Sequence, residues 1–118
     1  MSERKNISGE FPIEANGKEY TLKMTYGAAE RIEQFIIGRS IMELLTEALN
    51  GRAKISDVVN VFYACLSEKD RDNVKKEDFG QAIMSAGLKK YAKTHTSILT
   101  YAMTGDTEPK TQTGSKKN

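Results

Sequence analysis

Apolar and polar residues alternate from Phe11 to Met24, F-P-I-E-A-N-G-K-E-Y-T-L-K-M, with Phe11, Ile13 and Ala15 in phase on one side of Asn16-Gly17 and Tyr20, Leu22 and Met24 on the other. A period of two is that of a strand with one buried face, and Asn-Gly is the pair that most readily takes the positive φ angles of a type I′ turn, so the segment predicts a β-hairpin. Pro12 has no N–H for a ladder and assigns the first strand to an edge. A lone hairpin is only marginally stable in water, so its apolar face is expected to cover the helices that follow.

The period then changes to that of a helix. Thr25 is a candidate N-cap for a helix carrying Ala28, Ala29, Ile32, Phe35 and Ile36, which Gly38 is expected to close. Ser40-Ile41-Met42-Glu43 has the form of a capping box, ahead of a stripe of Ile41, Leu44, Leu45, Ala48 and Leu49 that ends at Asn50-Gly51. Ser56 or Asp57 is expected to start a third helix with Val58, Val59, Phe62, Cys65 and Leu66 in phase. Val61, Tyr63 and Ala64 make this segment apolar on more than one side, the mark of a central helix.

Ser67 to Asp78 is the most charged stretch, with Val74 its only large apolar residue, and predicts a solvated loop or a frayed helix start. A fourth helix carries Phe79, Ala82, Ile83 and Ala86. Its apolar phase slips across Gly87 and resumes at Leu88, Tyr91, Ala92, His95, Ile98, Leu99 and Ala102, which predicts a break or kink at the glycine. Residues 104–118 contain no large apolar side chain to offset the entropy of ordering them. The expected organisation is a flexible N-terminus (1–9), a single α+β domain (10–103) in which the hairpin packs on a bundle of four to five short helices, and a disordered polar tail (104–118).

A length of 118 residues suits one domain. No apolar run approaches the roughly 20 residues of a membrane helix, and Met1 to Gly9 lacks the hydrophobic stretch of a secretory signal, so neither membrane nor export is expected. The single cysteine, Cys65, allows no internal disulfide, which fits a cytoplasmic setting. The 18 basic and 16 acidic residues are dispersed, well short of the clustered basic footprint of a nucleic-acid binder.

Tests for chemistry come back empty, and neither a catalytic residue nor a cofactor is expected. Asp70, Asp72 and Asp78 fit positions 1, 3 and 9 of a calcium loop, but Lys75 stands where glycine is needed, Val74 at position 5 and Gln81 where a bidentate glutamate belongs. His95, the only histidine, has no companions for a zinc site or a catalytic triad and reads as a structural residue near the polar edge of the last helix. Cys65 lies on an apolar stripe and reads as a small buried hydrophobe. Neither phosphate-binding glycine pattern occurs. Lys89, Lys90 and Lys93 beside Tyr91, with Lys110, Lys116 and Lys117 in the tail, read as a solubilising surface before a phosphate-binding one. Met24, Met42, Met84 and Met103 suit core gap-filling first and an adaptable binding surface second.

The order of these features, N-G-K-E-Y-T-L-K, then A-A-E-R-I-E, then S-I-M-E-L-L, then I-S-D-V-V-N-V-F-Y-A-C-L, resembles the small tail assembly chaperones of phages and prophages and the related gene transfer agent proteins, over Phe11 to Leu66. The resemblance implies a non-enzymatic protein that holds the tape-measure protein while tail tube protein polymerises round it. It also implies a longer product made by frameshifting near the end of the frame, which the Lys116-Lys117-Asn118 ending suits. Such a chaperone needs apolar patches that gain strength by repetition along a client, for which Leu44, Leu45, Tyr91 and Leu99 are the candidate protein-binding residues. Edge strands and spare apolar stripes point to self-association as well. Two other readings stand beside this one: a structural tail or head-tail joining component that stays in the particle, and a small nucleic-acid-binding regulator.

Overall fold

A computed structural model describes residues 9–106. Strands β1 (Glu10–Ala15) and β2 (Lys18–Lys23) form an antiparallel hairpin, followed by six helices: α1 (Tyr26–Phe35), α2 (Ile41–Leu49), α3 (Ile55–Ala64), α4 (Glu68–Asn73), α5 (Lys76–Ala86) and α6 (Ala92–Thr104). Asn16 and Gly17 both take positive φ, 57° and 78°, as a type I′ turn requires. The register pairs Phe11 with Leu22 and Ile13 with Tyr20, which puts the apolar side chains of both strands on one face. Met24 donates to the Gly9 carbonyl (2.9 Å) and lengthens the ladder by one pair.

That face lies on the helices, as the alternation predicts. Tyr20 meets Phe79 edge to face at 5.4 Å, Phe11 meets Tyr101 at 6.2 Å, and the Tyr91 hydroxyl donates to the Glu14 carbonyl at 2.8 Å. On the outer face Glu14 stands directly across from Glu19. The Lys90 ammonium, 2.9 Å from the Glu14 carboxylate, relieves the repulsion of that pair.

Helix α3 is the central helix. Val58, Val61, Phe62, Ala64, Cys65 and Leu66 are all buried, and α3 packs against α1, α5 and α6. Its C-terminal carbonyls have no basic residue in their own last turn. Donors come from elsewhere: Arg31 Nε to the Ala64 carbonyl (3.0 Å), the Lys23 N–H to Cys65 (2.9 Å), and the Arg71 guanidinium to Leu66. Two cations from α1 and α4 thus sit at the negative end of the α3 dipole, and the same bonds fasten the hairpin and both helices to it.

Several sequence expectations are met in detail and others are corrected. The Thr25 hydroxyl accepts from Ala28 N–H at 3.0 Å, and Ser40 and Glu43 form the full capping box. Helix α3 starts earlier than expected, with Lys54 as N-cap; Asp57 is its third residue and accepts the Lys54 N–H. The charged stretch after Ser67 is helical, because the Ser67 hydroxyl accepts from Asp70 N–H (3.1 Å) and Tyr63 reaches the Val74 carbonyl (2.7 Å), tying α4 to α3. The break at Gly87 is present: the residue adopts φ 100° and ψ 117°, a conformation for glycine, and a 3-10 turn (Leu88–Tyr91) leads into α6. The expected flexible N-terminus and polar tail lie outside the described residues, apart from Gly9 and residues 104–106.

Candidate functional site

The four residues expected to bind protein, Leu44, Leu45, Tyr91 and Leu99, are all buried. The expectation is corrected by the packing: α2 lies against α6, which consumes the stripes carrying Leu44, Leu45 and Leu99, and Tyr91, at the end of the 3-10 turn, packs on Phe62 of α3 and bonds the Glu14 carbonyl of β1. The exposed large apolar side chains are others: Tyr26, Ile37, Met42, Leu49, Ile55, Met84 and Met103. The methionines divide accordingly, Met24 filling the core while Met42, Met84 and Met103 stand half in solvent.

Candidate chemical groups are placed as follows. Asp70, Asp72 and Asp78 fall on two helices, α4 and α5, rather than in one loop, and no cluster of potential metal ligands occurs among the described residues. Burial pushes the Cys65 thiol up to about 12, against a smaller opposing influence from Arg31, so it stays protonated and poorly nucleophilic. Lys90 of the basic face is bonded to Glu14; Lys89 and Lys93 are exposed beside it.

His95 is part of the core rather than at a polar edge. It is 1% exposed, packs against the Phe62 ring, and its Nε2 has no hydrogen-bond partner among the described residues. Removal from water holds its pKa down at about 4, with the carboxylate of Asp57 pulling weakly the other way.

Asp57, itself buried, anchors a partly exposed ionic cluster that periodicity gives no means of finding. Arg39, in the connection between α1 and α2, donates to both Asp57 oxygens (2.6 and 3.0 Å) and also to Glu47 of α2. Burial by itself would raise the Asp57 carboxyl, but the bonds from Arg39 and from the Lys54 N–H hold it below its ordinary value. The only sequence signal is Asp57 at a capping position; Arg39, between Gly38 and Ser40, carries none.

Concavities among the described residues include the following three. A charged cleft of about 540 Å³ separates β2 from the start of α4, with Glu19, Thr21, Arg31, Asp70 and Arg71 on its walls. A groove of about 480 Å³ runs between α3 and α5, lined by Ile55, Val59, Lys76, Gly80 and Met84. A cavity of about 270 Å³ lies between the end of α2, α3 and the start of α6, lined by Ala48, Ala53, Val58, Leu88, Ala92 and His95. The last two are lined mainly by apolar side chains with a few polar groups, whereas the cleft beside β2 is charged.

The fold is thus that of a small α+β protein with large apolar side chains exposed on several elements. A family model described as phage tail tube protein, GTA-gp10, matches residues 8–105, and the chain belongs to that family. The match covers the hairpin and all six helices, and the family's description is of a structural rather than an enzymatic role. No curated protein and no solved structure matches the chain. No helix among the described residues is long and apolar enough to cross a membrane.

Proposed function

We propose that this chain is a structural component of a phage-like tail, taking its place in the particle by association with other protein subunits, copies of itself among them. The observation that carries the reading is the family match from residue 8 to 105, which extends through every described element and is not confined to one motif. Apolar side chains standing in solvent on several elements, from Tyr26 on α1 to Met103 on α6, support an associating role. Mass spectrometry of purified tailed particles is the test: the chain is expected among the particle proteins in many copies per tail, and particles of normal composition without it would overturn the reading.

The half-exposed Met42, Met84 and Met103 favour a second reading, a tail assembly chaperone that holds the tape-measure protein and leaves before the tail is complete. Flexible, polarisable methionine side chains suit a surface that must adapt to a long repetitive client. Co-expression with the tape-measure protein separates the two. Co-elution of several copies with a solubilised client, together with absence from the finished particle, selects the chaperone.

A further inference from the structure

The two edges of the hairpin are not equivalent. In an antiparallel ladder alternate residues direct their N–H and C=O to the partner strand, and the residues between them direct theirs outward. The Met24 N–H reaches the Gly9 carbonyl, so Met24, Leu22 and Tyr20 are bonded within the hairpin while Lys23, Thr21 and Glu19 face the free side of β2. On β1 the outward positions are largely closed: Pro12 has no N–H, and the Glu14 carbonyl accepts from the Tyr91 hydroxyl. On β2 the Lys23 N–H is bonded to the Cys65 carbonyl, and the outward main-chain groups of Thr21 and Glu19 have no partner among the described residues.

This free edge opens into the charged cleft of about 540 Å³. Cys65, which the Lys23 N–H reaches, lines that cleft together with Glu19, Thr21 and Lys23, and the start of α4 forms the far wall. Two guanidinium groups stand in it, Arg31 from α1 and Arg71 from α4, each with one nitrogen on a carbonyl at the end of α3. Glu19, Glu68 and Asp70 share the lining, yet neither arginine forms an ion pair among the described residues. Lys23, by contrast, is already paired with Glu10 at 3.4 Å. Burial holds the Arg31 guanidinium below its ordinary pKa and the charge of Arg71 adds to the effect, so a carboxylate arriving beside them would relieve both.

We infer that the β2 edge takes one extended segment of a partner protein as a third strand, with an acidic side chain of that segment bound by Arg31 and Arg71. Main-chain bonds to Glu19 and Thr21 hold the segment whatever its sequence, and the arginines select the carboxylate. The hairpin of a second copy is a poorer occupant. The wall formed by α4 stands beside the edge and the Lys23 end is sealed by Cys65, which leaves room for a single strand and not for a sheet carrying its own helices. The inference goes beyond the tail-component reading and does not depend on it, since a particle subunit and a chaperone alike can capture a partner in this way.

NMR titration of the full chain with a blocked pentapeptide, Val-Thr-Asp-Thr-Val, tests it; the aspartate and valines of an extended peptide share one face and the threonines the other. The amide resonances of Glu19 and Thr21 and the Nε–H of Arg31 are expected to shift saturably, while the amides of Glu10 and Glu14 on the β1 edge stay in place. Asparagine in place of the peptide's aspartate should weaken binding about tenfold, and lysine should abolish it. The same peptide with every amide N-methylated keeps the carboxylate but cannot join the ladder, and is expected not to bind. On the protein side, Thr21→Pro removes one outward donor at an edge position and should abolish the response. The peptide comparisons stand on the wild type alone if that variant does not fold. Shifts confined to other surfaces, or equal affinity for the aspartate, asparagine and lysine peptides, would overturn the inference. It would also be overturned if the Glu19 and Thr21 amides shift on concentrating the chain without peptide, which would assign the edge to a second copy, or exchange slowly in the dilute chain, which would show that the chain covers the edge itself. None of these outcomes bears on whether the protein is found in tailed particles.

Discussion

At the scale of single residues, the molecule stores its pH sensitivity in two buried groups on α3 and α6. His95 titrates at about 4 when folded, against an ordinary value of 6.5, so the unfolded chain binds more protons between those limits. Stability is therefore unaffected by this group above pH 6.5 and falls as pH drops from 6.5 to 4. The displacement corresponds to a loss of about 3 kcal/mol over that window. Urea denaturation at a series of pH values should show it, and His95→Leu should lack that part of the slope; equal slopes in the two proteins would contradict the burial argument. Asp57 acts in a lower window. Its folded carboxyl lies below the ordinary 3.8, so its contribution is complete above that value and disappears as pH falls through the depressed one.

At the scale of elements, the end of α3 decides how the layers are joined. Its last carbonyls would be unsatisfied if they depended on the helix's own sequence, and they accept instead from Arg31, Lys23 and Arg71 on three separate elements. Replacing Arg31 by Met keeps most of the apolar stem but leaves the Ala64 carbonyl without its donor. A loss of about 1–3 kcal/mol is expected by chemical denaturation, with the α1-to-α3 contact weakened, and an unchanged midpoint would show that water replaces the bond at no cost. Helix α4 gives the contrasting case. Its residues are nearly all polar and none is buried, yet it is helical because Ser67 caps its start and Tyr63 holds its far end. Neither condition is visible in hydrophobic periodicity, which is why the stretch reads from sequence as a solvated loop or a frayed helix start.

For the whole molecule, these differences imply an uneven distribution of stability. Amides of α3 between Val58 and Ala64 lie in the middle of the core and are expected to exchange with solvent only through global unfolding. Those of α4, with no buried side chain, should exchange orders of magnitude faster through local opening. Hydrogen exchange read by mass spectrometry distinguishes the two segments, and equal protection would show that α4 is part of the same cooperative unit.

The hairpin, its Asn16-Gly17 turn, the Thr25 and Ser40 caps, the central position of α3 and the interruption at Gly87 follow from the sequence by itself. Each rests on local physics, the period of apolar positions or the dihedral and capping preferences of a few neighbouring residues. The surface does not follow in that way. Leu44, Leu45, Tyr91 and Leu99 are indistinguishable by sequence from a docking stripe, and only the packing of α2 on α6, and of Tyr91 on α3 and the hairpin, turns them inward. The pairing of Arg39 with Asp57 joins residues 18 positions apart, and the cavity at His95 collects side chains from α2, α3 and α6. Such features depend on which faces are left over once the core has closed, and that is decided by the tertiary arrangement, because periodicity marks a face as apolar without saying what will cover it.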